Sequence, residues 1–357
     1  MQLSRREAAR LGLGALSAAL IARSVPSLAQ DGWRASTWSV ADRLAPIAPE
    51  LRPAARRMIE SGFPPITEEM LRDMPGNVAP PTPELLPDIP VEERDIPPTA
   101  GLPGVKVFVL NSEPTLSRPA ILHIHGGGHL VGSARGELRY LQETARELAC
   151  TIVSVEYRLS PGARYSESTE DTYAGLKWLY DNADMLGVDR TRIALMGESA
   201  GGGHAAILAI KARNRGEVPV LFQSLVYPMI DDRTGSSVPV PPHIATVGWS
   251  PPENVLGWRS FLGTEPGTQA VPVEAVPSRT VDLAGLPPTW IGVGAVDLFA
   301  AEDIAYARRL ILAGIPTELV VTPGAFHGFD RVAPETALAR SFTASKMTAL
   351  RRAFARA

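Results

Sequence analysis

The chain has 357 residues, 45% hydrophobic and 20% charged, so it can bury the core of one large domain or two small ones. Its formal net charge of −3 is too close to zero to indicate a surface for nucleic acid or anionic membranes. Cys150 is the only cysteine, which excludes an intrachain disulfide, and no Cys/His cluster indicates structural zinc. We therefore expect neither a metal site nor a nucleic-acid partner.

Residues 1–29 have the pattern of an export signal. Ser4-Arg5-Arg6 precedes an apolar run over 8–22, and Ser27-Leu28-Ala29 puts small residues at a cleavage site. Arg23 prevents any longer apolar stretch, so no membrane span is expected. The paired arginines resemble a bacterial twin-arginine signal, which predicts use of the Tat export machinery and a mature chain that starts near Gln30 in the periplasm or outside the cell. The alternative is an ordinary amphipathic N-terminal helix.

Residues 30–90 read as a helical N-terminal cap followed by a linker. One helix is expected over Pro49–Ile59, and Thr67 is a suitable N-cap for a second. Six prolines between positions 75 and 90 predict a stiff connection to the next domain.

Residues 91–357 are expected to form a catalytic domain in which strands and helices alternate. This order is typical of an α/β fold with a mostly parallel central sheet flanked by helices. Predicted strands cover 105–110, 120–125, 151–157, 191–196, 220–227, 288–294 and 317–322, and predicted helices cover 136–149, 168–183, 200–213, 252–262, 301–313 and 334–355. Residues 231–282 break this rhythm, and the sequence leaves open whether they form a lid or a surface loop.

A candidate nucleophile lies between a predicted strand and the helix that follows it. Gly197-Glu198-Ser199-Ala200-Gly201 matches the nucleophile elbow, a sharp turn that exposes a serine above a sheet. Gly197 and Gly201 let strand and helix pack without a Cβ clash. With 31 glycines in the chain the pattern alone is weak. A phosphate-binding loop is the alternative, but the Gly-Lys-Ser/Thr ending of a P-loop is absent.

The serine needs a base, and His327 is the best placed of six histidines. It follows the strand 317–322 after a short turn, at the sheet edge where open parallel sheets bind ligands. His123 lies inside a predicted strand and is expected to be structural. His129, His204 and His243 carry no signal beyond loop or early-helix positions.

Asp297 is the candidate carboxylate that orients the base. It follows the strand 288–294, and the order Ser199, Asp297, His327 is that of an α/β-hydrolase triad. Glu302 and Asp303 are rivals. We expect them in the first turn of the next helix, where acidic residues favour the helix dipole whatever the chemistry.

An oxyanion hole is predicted in the glycine-rich segment His125-Gly126-Gly127-Gly128. It directly follows a buried strand, so its backbone N–H groups can point into the site, and glycine lets the substrate approach closely. The alternative is a flexible loop.

The chain resembles the hormone-sensitive-lipase-like branch of the α/β-hydrolases, which includes many bacterial esterases. The resemblance covers about residues 45–335 and rests on five motifs in order: His125-Gly126-Gly127-Gly128, Glu156-Tyr157-Arg158-Leu159-Ser160-Pro161, Gly197-Glu198-Ser199-Ala200-Gly201-Gly202, Asp282-Leu283-Ala284-Gly285-Leu286-Pro287-Pro288 and His327-Gly328-Phe329. It implies that the N–H groups of Gly127, Gly128 and Ala200 bind the oxyanion. It also implies that His125 shapes the loop, that a cap covers the pocket, and that short to medium acyl chains are preferred.

The chain departs from the family pattern at three places. Glu198 stands where the family usually has Asp, His129 stands where an aromatic residue often follows the glycines, and Ser160-Pro161-Gly162-Ala163-Arg164-Tyr165 replaces a family segment. These positions line the approach to the site, so they bear on substrate preference.

Together these features predict a serine carboxylic-ester hydrolase that acts on small-molecule esters through an acyl-enzyme, without a metal or cofactor. An exported deacetylase, lactonase or peptidase would use the same residues. A non-catalytic binding protein on the same fold is a further alternative. The sequence does not indicate an oligomeric state.

Overall fold

The structure is a computed structural model that describes residues 38–62, 65–73, 83–99 and 101–355. The predicted export signal, residues 1–29, lies outside these residues, as does part of the linker, 74–82.

Eight strands of the described chain form one sheet in the order β1-β2-β4-β3-β5-β6-β7-β8. They are β1 (Val91–Ile96), β2 (Val105–Leu110), β3 (Arg118–Ile124), β4 (Thr151–Glu156), β5 (Val188–Glu198), β6 (Phe222–Val226), β7 (Thr289–Gly294) and β8 (Thr317–Thr322). The β1–β2 and β2–β4 pairs are antiparallel, and the five remaining pairs are parallel. The predicted mostly parallel sheet is confirmed. Only β2 among the described strands runs opposite to the others, and β1 pairs with it at one edge of the sheet.

Helices cover both faces of the sheet. The described helices are α1 (Val40–Leu44), α2 (Arg52–Ser61), α3 (Glu68–Asp73), α4 (Leu138–Leu148), α5 (Tyr165–Asp181), α6 (Ala183–Leu186), α7 (Ala200–Arg215), α8 (Pro251–Leu262), α9 (Ala300–Leu312), α10 (Phe329–Val332) and α11 (Ala337–Ala355). Side chains of α5, α7 and α9 share one core with the sheet, while α4 and α11 share the core on its opposite face. No helix in the described ranges has both the length and the apolarity needed to cross a membrane.

Strand β2 illustrates why the sheet is buried on both faces. Phe108 and Leu110 belong to the α4/α11 core, while Val107 and Val109 belong to the α5/α7/α9 core. Successive side chains of a strand point to opposite faces, so a continuous apolar run suits a sheet that is covered twice.

The predicted N-terminal helices are present and pack on the catalytic core. Leu44 and Ala54, from α1 and α2, are buried in the same core as α4 and α11. The N–H of Ala48 donates to the carbonyl of Gly324, 2.9 Å away, which ties this segment to the loop after β8. The cap is thus attached close to the carboxyl edge of the sheet.

The insertion 231–282 is packed against the core. Its helix α8 buries Trp258 and Phe261 in a third cluster, which also contains Ala200 and Leu298. Arg279, near the end of the insertion, forms a part-buried ion pair with Asp232, near its start, with Nε 2.6 Å from Oδ1. This packing places α8 against Ala200, the first residue of α7.

Candidate active site

Ser199 sits at a sharp turn between β5 and α7. Its φ of 57° and ψ of −123° lie in a region that non-glycine residues rarely occupy. Two backbone contacts hold it there: its N–H donates to the carbonyl of Val226 at 2.9 Å, and its carbonyl accepts from the N–H of Met229 at 3.0 Å. The surrounding structure therefore imposes the strained conformation that exposes the hydroxyl.

The two elbow glycines are required by close backbone contacts. A Cβ on Gly197 would lie 2.3 Å from the carbonyl oxygen of Gly201, and one on Gly201 would lie 2.0 Å from that of Ile124. Both distances are far inside van der Waals contact. The Gly-x-Ser-x-Gly spacing thus has the steric cause expected from the sequence.

Ser199, His327 and Asp297 form a continuous hydrogen-bonded row. His327 Nε2 lies 2.9 Å from Ser199 Oγ, and His327 Nδ1 lies 2.8 Å from Asp297 Oδ2. Asp297 is fully buried, and its other oxygen accepts from the N–H of Phe299 at 3.0 Å. Because the Asp297 carboxylate accepts a hydrogen bond from Nδ1–H of His327, Nε2 is left without a proton and can accept a hydrogen bond from the Ser199 hydroxyl.

The two rival carboxylates lie in the first turn of α9, as expected, and have other surroundings. Glu302 Oε1 accepts from the N–H groups of Ile230 and Asp231, at 2.8 Å and 3.1 Å. The carboxyl oxygens of Asp303 have no hydrogen-bond partner among the described residues. Burial raises the pKa of both carboxyl groups well above their usual range. Asp297 is the acidic residue whose carboxylate meets His327.

The glycine-rich loop after β3 borders the same site. Gly126, Gly127 and Gly128 line a pocket together with Ser199 and His327. Gly127 and Gly128 have φ values of 121° and 61°, which favour glycine. A Cβ on Gly127 would lie 1.9 Å from the carbonyl oxygen of Val131, so a side chain there would displace the loop.

Ala200 is fully buried at the first position of α7. The first N–H groups of a helix have no carbonyl partner within that helix. Its N–H follows Ser199 directly in the chain and lies at the positive end of the helix dipole.

His125 is buried beneath the glycine loop. Its ring stacks on Tyr157 with centroids 4.3 Å apart, and its Nδ1 donates to the carbonyl of Gly126 at 2.8 Å. Burial lowers the pKa of His125 to about 4, so the ring is neutral at physiological pH. These contacts suit a residue that shapes the loop and lies apart from the hydroxyl of Ser199.

Three of the histidines without a predicted chemical role, His123, His129 and His204, are buried, while His243 is exposed in a loop. His129 stacks on Phe261 with centroids 3.9 Å apart, which explains how it can stand where an aromatic residue is usual. Burial lowers its pKa to about 3, and its Nδ1 lies 3.3 Å from His204 Nε2. His123 lies in β3, as expected, and bonds to Ser154 and Glu198. In the chain as described, no group of three or more potential ligands is arranged around a metal position.

The pocket has a volume of about 390 Å³, and part of its wall was not predicted. Glu137, Tyr227, Trp249 and Arg331 also line it, from four separate parts of the chain. Arg331 Nη2 pairs with Glu137 Oε2 at 2.7 Å, and the Tyr227 ring packs edge-on against His327 with centroids 4.7 Å apart. No local motif marks these residues; the short distance from His327 to Arg331 in the sequence is the one available signal.

Comparisons with known proteins agree with this architecture. A family model described as the alpha/beta hydrolase fold matches residues 121–331. Carboxylesterase NlhH of Mycobacterium tuberculosis is 32% identical over 276 residues, which cover 76% of this chain and 85% of that protein. Esterase LipI of the same species is 30% identical over 297 residues, which cover 83% and 90%.

Comparison with solved structures also finds esterases. A structure described as Bacterial Heroin Esterase superposes with a TM-score of 0.71 and 33% identity, over 87% of this chain and 99% of that one. Esterase LipW from Mycobacterium marinum superposes with a TM-score of 0.71 and 31% identity, over 87% and 97%. The chain belongs to the α/β-hydrolase family, and within it to the hormone-sensitive-lipase-like branch of carboxylester hydrolases.

Proposed function

We propose that this carboxylester hydrolase works through an acyl-enzyme formed on Ser199. The observation that carries the proposal is the row of hydrogen bonds from Asp297 through His327 to the Ser199 hydroxyl. Ser199 Oγ attacks the ester carbonyl carbon while His327 Nε2 takes its proton. The bond to the alcohol oxygen then breaks, and His327 gives the proton to the leaving alcohol. A water molecule activated by His327 releases the acid and restores the hydroxyl.

Asp297 keeps the imidazole in the required tautomer and stabilises the imidazolium that forms during the reaction. Its buried position and its hydrogen bond from the Phe299 N–H support this role, because both restrict the carboxylate to one orientation.

The N–H groups of Gly127, Gly128 and Ala200 bind the oxygen of the tetrahedral intermediate. The support is their position: the two glycines line the pocket beside Ser199, and Ala200 starts the helix behind it. Each donor of this kind typically contributes about 10²- to 10³-fold in rate.

The substrates are esters of short to medium acyl chains. The volume of about 390 Å³ lies at the small end of the range for ligand pockets, and Trp249 borders it against the glycine loop. Deacetylase, lactonase and peptidase activities use the same three side chains and differ in substrate. A non-catalytic role is disfavoured because the Ser–His–Asp row is complete.

The first experiment measures hydrolysis of p-nitrophenyl acetate, butyrate, octanoate and palmitate by the purified protein and by Ser199→Ala. We expect turnover of the shorter esters and a loss of about 10⁴- to 10⁶-fold in kcat for the variant, the effect of removing a triad nucleophile. A loss below about tenfold would contradict the serine mechanism.

Labelling with a fluorophosphonate probe serves as the control. If the protein turns over none of the esters but Ser199 is still labelled, the mechanism stands and the substrate class is wrong. If the folded protein is not labelled, the non-catalytic alternative is supported.

We also propose that the protein is exported through the twin-arginine route. Ser4-Arg5-Arg6, the apolar run over 8–22 and Ser27-Leu28-Ala29 support this. The N-terminal sequence of protein from a periplasmic fraction is expected to begin near Gln30, and an Arg5→Lys/Arg6→Lys variant is expected to stay in the cytoplasm. Periplasmic protein that begins at Met1, or unchanged export of the variant, would contradict the proposal.

A further inference from the structure

Glu198, the residue immediately before Ser199, carries a buried charge that the proposed mechanism does not use. Its side chain is 9% exposed, with Oε2 2.9 Å from His123 Nε2 and Oε1 3.3 Å from the Tyr140 hydroxyl. Burial opposes ionisation, but His123, Lys346 and Arg331 outweigh it and hold the pKa of Glu198 at about 2. A carboxylate therefore lies directly behind the nucleophile.

Lys346, close to the C-terminal end of the chain, supplies part of the compensating positive charge. It lies in α11 and is completely buried, and its Nζ donates to the Tyr140 hydroxyl, which in turn donates to Glu198. Burial disfavours its charged form, yet Tyr140, Asp330 and Glu198 more than offset this and raise the pKa of Lys346. The ammonium, the phenol and the carboxylate thus form one continuous buried row.

The row lies against the wall of the active-site pocket that contains His327. Glu198 lines this pocket together with Ser199, His327 and Arg331. Tyr227 packs its ring on His327 and donates its hydroxyl to Asp330 Oδ1 at 3.0 Å. The positive charges of Lys346 and Arg331 lower the pKa of Asp330, in opposition to its burial. The charge of Lys346 consequently acts on both Glu198 and Asp330.

Charges close to a histidine decide whether it is neutral or protonated at a given pH. An uncompensated carboxylate nearby favours the imidazolium, which cannot accept a proton from serine. Three groups contact His327: Asp297 after β7, Ser199 at the end of β5 and the ring of Tyr227 after β6. Three charged residues border the same pocket: Glu198 in β5, Glu137 before α4 and Arg331 in α10. Asp330 of α10 is linked to His327 through Tyr227, and Lys346 of α11 is linked to Glu198 through Tyr140 of α4.

We propose that Lys346 is a positioning residue. Acting through Tyr140, its charge offsets that of Glu198 and so opposes the tendency of this carboxylate to favour the imidazolium form of His327, which cannot accept the Ser199 proton. This inference rests on the proposed function, since it assigns a role in the same proton transfer.

The test is the pH profile of kcat/KM for p-nitrophenyl butyrate, compared between the natural enzyme and Lys346→Met. Methionine keeps much of the length and removes the charge. The acid limb of the profile is expected to move to higher pH by about half to one unit, because the unbalanced carboxylate stabilises imidazolium. At about pH 6 the variant should lose several-fold more activity than on the alkaline plateau. A plateau loss with an unmoved acid limb would indicate a merely structural role and overturn the proposal.

The matched control removes the charge that Lys346 balances. The double variant Lys346→Met/Glu198→Gln is expected to return the acid limb to its natural position. If the limb stays shifted in the double variant, the effect does not pass through Glu198 and the proposal is wrong.

A second measurement does not depend on turnover. In a Ser199→Ala background, the proton NMR signal of His327 Nδ1–H is followed against pH with and without Lys346→Met, and the same upward shift is expected. This measurement does not require ester hydrolysis. It therefore tests the role of Lys346 even if the proposed esterase activity is not found. Should Lys346→Met not fold, Tyr140→Phe removes the bridging hydroxyl; it is expected to shift the limb in the same direction, and no shift would overturn the proposal.

Discussion

Asp297, Glu302 and Asp303 lie within seven consecutive positions, and the contacts of each side chain determine what it can do. Asp297 lies in the loop before α9, where one oxygen accepts from the Phe299 N–H and the other faces His327. The Glu302 carboxylate accepts hydrogen bonds from the backbone N–H groups of residues 230 and 231. Burial raises the pKa of Asp303 well above its usual range, which favours a neutral carboxyl. A difference of a few residues along the chain therefore separates the carboxylate that we propose orients His327 from two that do not contact it.

This assignment predicts different effects for two conservative substitutions. Asp297→Asn keeps the size of the side chain but removes the charge and allows the wrong histidine tautomer. We expect it to lower kcat by about 10³- to 10⁴-fold. Glu302→Gln is the matched control and is expected to stay within about tenfold of the natural enzyme. Steady-state kinetics on p-nitrophenyl butyrate decide the question, and a larger loss for Glu302→Gln would reverse the assignment.

Glu198 shows where a side chain one methylene longer than Asp places its carboxylate beside Ser199, the proposed nucleophile. The sequence indicated that the charge of the usual Asp is kept and that its reach is altered. The carboxylate contacts His123 in β3 and Tyr140 in α4, while the backbone of Glu198 remains paired in β5. The longer side chain thus connects the strand that carries the nucleophile to the C-terminal helix through Tyr140 and Lys346.

At the scale of elements, helix α8 supports the glycine loop. A Cβ on Gly257 would lie 2.6 Å from the carbonyl oxygen of Gly128, so helix and loop are in direct backbone contact. The same helix begins at Ser250 with a capping box formed with Glu253, which also accepts the N–H of Ile66 at 3.1 Å. The insertion therefore joins the N-terminal cap to the predicted oxyanion hole.

Gly257→Ala is expected to displace the glycine loop and lower kcat/KM by about 10- to 100-fold, since small shifts of a positioned group are costly in catalysis. Ser260→Ala, on the same helix and only half-buried, is the control and should leave kcat/KM nearly unchanged.

Thermal unfolding of both variants shows whether the fold is retained. A folded Gly257→Ala protein with natural activity would mean that α8 does not support the loop.

Strand β1 was not predicted, and its composition explains why. Its sequence Val-Glu-Glu-Arg-Asp-Ile is mostly exposed and charged, because it pairs with β2 at the edge of the sheet. Charged residues on an edge strand discourage pairing with other chains, and they also remove the apolar signal by which strands are recognised. The buried strands β3, β4 and β6, by contrast, were predicted to within a few residues.

At the scale of the whole molecule, the parallel sheet brings distant residues together. Ser199 and His327 are 128 positions apart, yet their side chains meet at 2.9 Å. Gly127 follows β3, Ser199 follows β5, Asp297 follows β7 and His327 follows β8. The carboxyl ends of parallel strands lie at one edge of the sheet, which is why the chain order of the motifs was enough to predict their meeting.

The sequence by itself determined the α/β-hydrolase fold, the strained serine turn and the identity of the residues that meet there. These depend on short-range patterns, such as glycines where no Cβ fits and apolar runs that must be buried. Only the tertiary structure decided the walls of the pocket, formed by Glu137, Tyr227, Trp249 and Arg331, and the row from Glu198 to Lys346. Those side chains come from elements far apart in the chain and carry no local motif. Their contacts arise from how α4, α8, α10 and α11 pack against the sheet.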